Sequence, residues 1–322
     1  MFARAVSTLE YPRASVEDSF RAEVLTGLST RPRAISPRWF YDRRGSELFE
    51  EITRLPEYYL TRAELAILGS RAHEIARIAG AGRALVELGS GSSLKTPLLL
   101  KALAPAAYVP IDISGDFLRD SVANLAKSFA TLAIHPVIAD FMHALTLPSS
   151  IKALPRLGYF AGSTIGNMAV SAAVDFLRTT ARTLGEGALL LIGIDRVKDS
   201  QRLVAAYDDA QGVTARFNLN LLHRINRELD ATVPVDAFRH VARWNDYESR
   251  IEMHLQAMRG AHFTVDGQPF SIAEGETIHT ENSLKYGPRD ARVLLRAGGW
   301  SPIKEWTDPD ELFALILACA DD

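Results

Sequence analysis

Residues 85–100 read LVELGSGSSLKTPLLL. A short apolar run ends in an acid, passes through a loop of small residues and enters Lys95-Thr96-Pro97 and a string of leucines. That pattern describes a strand, a turn and a helix start. Turns of this kind hold anionic or nucleotide-bearing ligands, because the backbone amides of the helix N-terminus point at them. The loop approaches the phosphate-loop pattern G-x-x-x-x-G-K-[ST], with Gly89, Lys95 and Thr96 in place. Leu94 stands where the last glycine belongs, and its branched side chain obstructs the nest that wraps phosphates. A dinucleotide loop, G-x-G-x-x-G, fits Gly89 and Gly91 and fails at the same Leu94.

The sequence on either side sets the frame. Thr61 and Glu64 match a T-x-x-E capping box, followed by Leu65, Leu68, Ala72 and Ile75 at helical spacing and a stop at Gly80. Strands are expected at RALVEL (83–88), AYVPI (107–111), HPVIAD (135–140), LGYFAG (157–162) and ALLLIGI (188–194). Helices separate them, with Thr96 as a cap before Pro97, Ser114 capping a helix to about Phe129, and Val174 to Leu184 stopped by Gly185. Short, nearly all-apolar strands alternating with helices imply a parallel sheet covered on both faces. After Asp195 the rhythm changes to a helical region over 199–230 and to hairpins, one of them at Asp266-Gly267. The sheet-like style returns from about residue 287, with a helix to Ala297 and strands in WSPIKEW and LFALILA. The expected fold is α/β: a doubly wound, mostly parallel sheet over 62–194 and 287–322, with a second, inserted α+β domain made of 1–61 and 195–286.

A third reading of the loop accounts for more residues. In doubly wound enzymes that use S-adenosylmethionine, an acid and a G-x-G loop close the first strand, here Glu87-Leu88-Gly89-Ser90-Gly91. No pyrophosphate has to be packed, so the third glycine is dispensable. The second strand ends in a carboxylate able to accept from both ribose hydroxyls, here Asp112, and the third in Asp140-Phe141 to meet the adenine. Each acid alone also reads as a turn former or helix cap. Three acids at three successive strand ends line the crevice where such sheets bind ligands.

Composition sets limits. The chain has 322 residues, 47% hydrophobic and 23% charged, with a formal net charge of -3, which gives no general grip on nucleic acid. Arg31, Arg33, Arg38, Arg43 and Arg44 read as solvated or ion-paired surface. The one cysteine, Cys319, permits no internal disulfide and no cysteine-rich metal site. His223, His240, His254 and His279 lack paired ligand spacing, so no metal is expected. The N-terminus turns polar too soon for a signal peptide, and the longest apolar runs fall short of the ~20 residues of a membrane helix. A cytoplasmic protein, acting as a monomer without membrane or nucleic-acid partners, is the expectation.

Several long segments are similar to one family: FYDRRGSELFEEITRLPEYYLTRAE (40–64), LVELGSGSSLKT, GSTIGN (162–167), LVAAYDDAQGVTARFNLN (203–220), IEM (251–253) and TENSLKY (280–286). The chain resembles the histidine Nα-methyltransferases of ergothioneine biosynthesis, which trimethylate the α-amino group of L-histidine to hercynine. The resemblance implies S-adenosylmethionine as cofactor, S-adenosylhomocysteine as product, and L-histidine with its mono- and dimethyl forms as substrates. It implies cofactor contacts at Gly89, Lys95, Asp112, Asp140 and Phe141, beside Glu87, Ser90 and Gly91 of the loop. Asn167 and Tyr207 match residues that hold the substrate carboxylate and orient its amine; Tyr41 lies near the amine and Tyr58 closes over the imidazole. Glu281 and Ser283 match the pair that reads the imidazole nitrogens, Met253 shapes the ring pocket, and Thr214 is a nearby polar group. Asn282 departs from the small or apolar residue expected there, and strand alternation points it away from the pocket. By residue type alone, Tyr58, Tyr207, Met253, Glu281 and Asn167 read equally well as packing, surface or capping residues. The alternatives kept open are a relative acting on tyrosine or tryptophan, a nucleotide-binding oxidoreductase module, and a non-catalytic binder on the same fold.

Overall fold

The computed structural model describes residues 9–10, 14–91 and 94–321. The chain forms two compact units, one of Met1–Tyr11, Leu60–Val197 and Lys285–Asp322, the other of Pro12–Tyr59 and Lys198–Leu284. The crossings therefore fall at 11/12, 59/60, 197/198 and 284/285, against expected breaks at 61/62, 194/195 and 286/287; Leu9–Glu10 joins the sheet of the first unit, where the whole of 1–61 was expected in the second.

The first unit is built on an eight-stranded sheet in the order 9–10, 137–138, 107–112, 84–88, 156–160, 189–195, 313–320, 300–307. All neighbours are parallel up to 189–195; Phe313–Ala320 pairs antiparallel with it, and Trp300–Thr307 antiparallel with Phe313–Ala320. Strand order runs outward in both directions from Ala84–Leu88, so right-handed crossovers put helices on both faces. Burial agrees: every residue of Ala84–Leu88 and Leu189–Asp195 is buried. This is a doubly wound α/β architecture. The open edge, Trp300–Thr307, carries Pro302, Lys304 and a register shift between them, which blunt it against further pairing.

Three local expectations are corrected. The helix begins at Tyr59 rather than after Thr61, so Thr61 and Glu64 lie inside it, both buried, and form no capping box. The next helix begins at Thr96, whose hydroxyl turns inward to Glu87 instead of capping. The third strand pairs only over Val137–Ile138, and the rest of HPVIAD runs as an irregular approach to Asp140.

Where the chain leaves and re-enters the first unit, Asp195 and Lys285 form an ion pair at 2.7 Å with both side chains fully buried. The Tyr286 amide donates to the Asp195 carbonyl beside it. Removing one member would leave an uncompensated buried charge, at a cost of about 3–5 kcal/mol.

The second unit holds a four-stranded sheet in the order 33–34, 277–284, 250–257, 238–245, with a separate hairpin of Ala261–Val265 and Gln268–Ile272. Asp266 and Gly267 both take positive φ, as a two-residue hairpin turn requires. The helical region resolves into Ser200–Tyr207 and Val213–Glu228. Residues 14–29 and 43–52, illegible as part of either pattern, are helices of this unit.

On one face of the small sheet Glu252 is buried and accepts from Asn245, Arg250, Arg243 and His254. His254 and His279 stack with ring centroids 4.8 Å apart. Burial lowers the pKa of both, that of His254 from 6.5 to about 4. A histidine held neutral in the fold contributes stability above its unfolded pKa and loses it as pH falls. Thermal stability should therefore decline between pH 6.5 and about 4, and His254→Gln should flatten that decline in scanning calorimetry. A slope unchanged by the substitution would remove His254 as its source.

Candidate functional site

The loop after Ala84–Leu88 is laid bare by its glycines. Gly89 and Gly91 take φ of +69° and +49°, conformations that favour residues without a Cβ. A Cβ on Gly89 would sit 3.2 Å from the Phe141 ring, whereas one on Gly91 would enter open space. Between them the Ser90 hydroxyl is buried with no partner among the described residues. Asp112 ends the second strand and fixes this loop: its Oδ2 accepts from the Gly91 amide at 2.8 Å and its Oδ1 from the Ser114 amide at 2.9 Å. Desolvation raises its pKa, opposed by those amides, and part of its surface stays open. Asp140 Oδ1 accepts from the Met142 amide, which orients the carboxylate after the third strand. Phe141 packs edge-on to Phe160 and Phe176, with centroids at 5.5 and 5.8 Å. Bare backbone, an unpaired buried hydroxyl, two acids and an aromatic edge fit an adenosyl ligand with a polar tail. Asp112 would hold the ribose diol, Asp140 the adenine, and Gly89 to Gly91 the methionyl chain.

Glu87 is turned the other way. It is buried and accepts from Thr96 and from the Tyr108 hydroxyl, below the loop rather than on its surface. Desolvation raises its pKa to about 7, against the pull of those donors and of Lys95. Lys95 donates to Glu64, a residue that sequence reasoning assigned to a cap. Its signal was present as a lone acid on the apolar side of a helix, but nothing nearby in sequence names its partners. Asn167 is half-buried at the end of the turn Thr164–Asn167, which follows the fourth strand. Ser163, at the start of that turn, takes φ +59° and is held by the Asp195 amide donating to its hydroxyl.

The second unit gathers most of the remaining candidates. Tyr41 packs on Phe49 and Phe217, Phe49 on Tyr58, and Tyr58 on Tyr207, with centroids between 5.6 and 6.3 Å. The Tyr207 hydroxyl shares a 2.7 Å hydrogen bond with Ser283 Oγ. One aromatic chain thus runs from Tyr41 to Ser283, and Phe49 and Phe217, absent from the sequence reading, connect it. Glu281 pairs with Met253 and Ser283 with Ile251, across a register shift between His279 and Glu281. The shift moves Glu281 and Ser283 onto the face of Met253; Asn282 pairs with Glu252 on the other. Glu281 is only 7% exposed. Thr214 lies in the first turn of Val213–Glu228, and its amide and that of Val213 donate to the Asp209 carboxylate.

A family model described as histidine-specific methyltransferase, SAM-dependent, matches residues 20–320. The chain belongs to this family. It is 44% identical to the histidine N-alpha-methyltransferase of Mycolicibacterium smegmatis, over 94% of this chain and 96% of that protein. The enzyme of the same name from Mycobacterium tuberculosis is also 44% identical, over 93% and 94%. Ergothioneine biosynthesis protein 1 of Neurospora crassa is 31% identical over 96% of this chain, which spans 36% of that longer relative. Membership makes S-adenosylmethionine the cofactor of the chain and histidine methylation its chemistry. Among the described residues no helix is long and apolar enough to cross a membrane.

The buried state of Glu87 has a measurable sign. Its folded pKa lies above the unfolded 4.5, so its contribution is present below that value and lost as pH rises through about 7. Glu87→Gln should gain in melting temperature relative to wild type on going from about pH 5 to about pH 8.5. A constant difference across that range would contradict the raised pKa.

Proposed function

We propose that this methyltransferase transfers three methyl groups in turn to the α-amino nitrogen of L-histidine, giving hercynine. The observation that carries the reading is the pairing of Glu281 and Ser283 on one face of a strand, both buried, next to Met253. A carboxylate and a hydroxyl two residues apart complement the two nitrogens of an imidazole, and Met253 offers an apolar surface to its ring. A tyrosine or tryptophan side chain carries one polar group rather than two ring nitrogens, so it cannot meet both the carboxylate and the hydroxyl as an imidazole does, which disfavours both.

S-adenosylmethionine supplies a methyl group on a positively charged sulfur. The residues of this chain bind and orient the acceptor amine, which must be unprotonated for in-line attack. Tyr207 orients the amino acid within the second unit, and Asn167 keeps the carboxylate-holding role that the resemblance gives it. The Tyr207 hydroxyl is also tied to Ser283, so the residue that orients the amino acid is coupled to one that reads its ring. Tyr41 holds the early amine through its hydroxyl. Tyr58 closes over the ring, and the tyrosine faces favour the fixed cation that forms after the third transfer. Thr214 adds a polar group at the start of its helix. The lone Cys319 and the use of S-adenosylmethionine suit a cytoplasmic setting.

Mass spectrometry of free amino acids incubated with enzyme and cofactor tests this directly. Histidine should gain three methyls, whereas tyrosine and tryptophan should gain none; methylation of either in place of histidine refutes the proposal. Glu281→Ala should lower kcat/KM for histidine by about 100-fold through an unpaired imidazole, while S-adenosylhomocysteine affinity stays unchanged. Equal loss of both would deny Glu281 its reading role.

A further inference from the structure

Glu64 is fully buried inside the helix Tyr59–Ala79, yet every oxygen it carries is engaged by a polar donor. Lys95 donates to Oε2 at 2.5 Å, the Gly162 amide to the same oxygen at 2.9 Å, and the Tyr159 hydroxyl to Oε1 at 2.9 Å. These donors come from the loop after Ala84–Leu88 and from the strand Arg156–Phe160 and its tip. Between those two strands the order of the sheet reverses, which is where doubly wound folds take their ligands. Lys95 itself is not sealed in: its side chain is 16% exposed against none for Glu64. A Cβ on Gly162 would lie 3.5 Å from the Lys95 ammonium, so that charge rests against bare backbone at the strand tip. It also stands at the start of the helix Thr96–Leu103, whose N-terminal amides favour an anion.

An ammonium has three donors on a flexible stem, and left alone it is a poorly directed point charge. We propose that Glu64 is a positioning residue: it pins Lys95 so that the outward N–H donors of that ammonium take the α-carboxylate of the cofactor's methionyl part. The inference rests on the S-adenosylmethionine reading of the glycine loop and adds the residue that aims its cation. Glu64 uses the inward donor of Lys95, so the remaining donors face the crevice. A hydrogen bond between ions in a partly desolvated site is stronger and more directional than one in water. Only a ligand that carries the carboxylate profits from it.

The test compares two ligands that share the adenosine and the thioether. S-adenosylhomocysteine has the amino-acid tail and 5′-methylthioadenosine lacks it. In calorimetric titration, Glu64→Gln should weaken the first by about tenfold or more and the second by no more than about twofold. Lys95→Met should do the same, and the double variant should bind no more weakly than Lys95→Met alone. Tyr159→Phe removes a different donor from Glu64 and should leave the ratio of the two affinities unchanged. The proposal is overturned if Glu64→Gln weakens both ligands equally or neither, or if the two single losses add in full. If Glu64→Gln does not fold, Lys95→Met decides, since an equal loss for both ligands refutes a carboxylate contact. Failure of the wild-type protein to bind S-adenosylhomocysteine at all would instead overturn the reading of the loop.

Discussion

One buried carboxylate, Glu64, accepts from three donors that belong to two other stretches of chain. A charge with no solvent contact is tolerated only when it is paired and hydrogen-bonded. That condition locks the helix Tyr59–Ala79, the loop that ends at Lys95 and the tip of the strand Arg156–Phe160 into one arrangement. Glu87 lies beneath the same loop and is satisfied by Thr96 and Tyr108 instead. Two acids with different partners thus brace the loop from below, and its upper side is left to glycine backbone, Ser90 and Asp112.

The second unit relies on a different constraint. A strict alternation along Thr277–Leu284 would put Ile278, Thr280 and Asn282 on one face. The register shift before Glu281 breaks that alternation and sends Glu281 and Ser283 to the face of Met253. The opposite face keeps the Glu252 cluster and the stacked pair of His254 and His279. Polar groups therefore occur on both faces: one set gathers around the Glu252 carboxylate, and the other, Glu281 and Ser283, lies beside aromatic and apolar surface. The chain of rings from Tyr41 through Phe49 and Tyr58 to Tyr207 holds the tyrosines at fixed spacing and leaves them little rotamer freedom.

Much of the core was legible in the sequence, because its strands are short, apolar and bounded by turn residues, and its helices by glycines. The ends of the first and second strands, with Gly89, Gly91 and Asp112, were readable for the same reason: strand tips in a parallel sheet are where polar residues interrupt apolar runs. The errors came where a local motif had a stronger competitor in space. Thr61 and Glu64 have the spacing of a cap, and Thr96 precedes a proline as a cap does. Each is buried instead against a partner, Thr96 against Glu87 and Glu64 against groups 31 to 98 residues away. Local hydrogen-bonding preference is worth too little to outweigh a buried ionic contact.

By itself, the sequence determined the alternation of strand and helix, the acids at the strand ends and the family, since these depend on periodicity, on residue type and on long matched segments. Only the tertiary structure decided which strand-end acid turns inward, and on which side of its strand Glu281 lies. Those outcomes depend on long-range donors and on a one-residue slip in register, and neither leaves a mark within the neighbouring sequence.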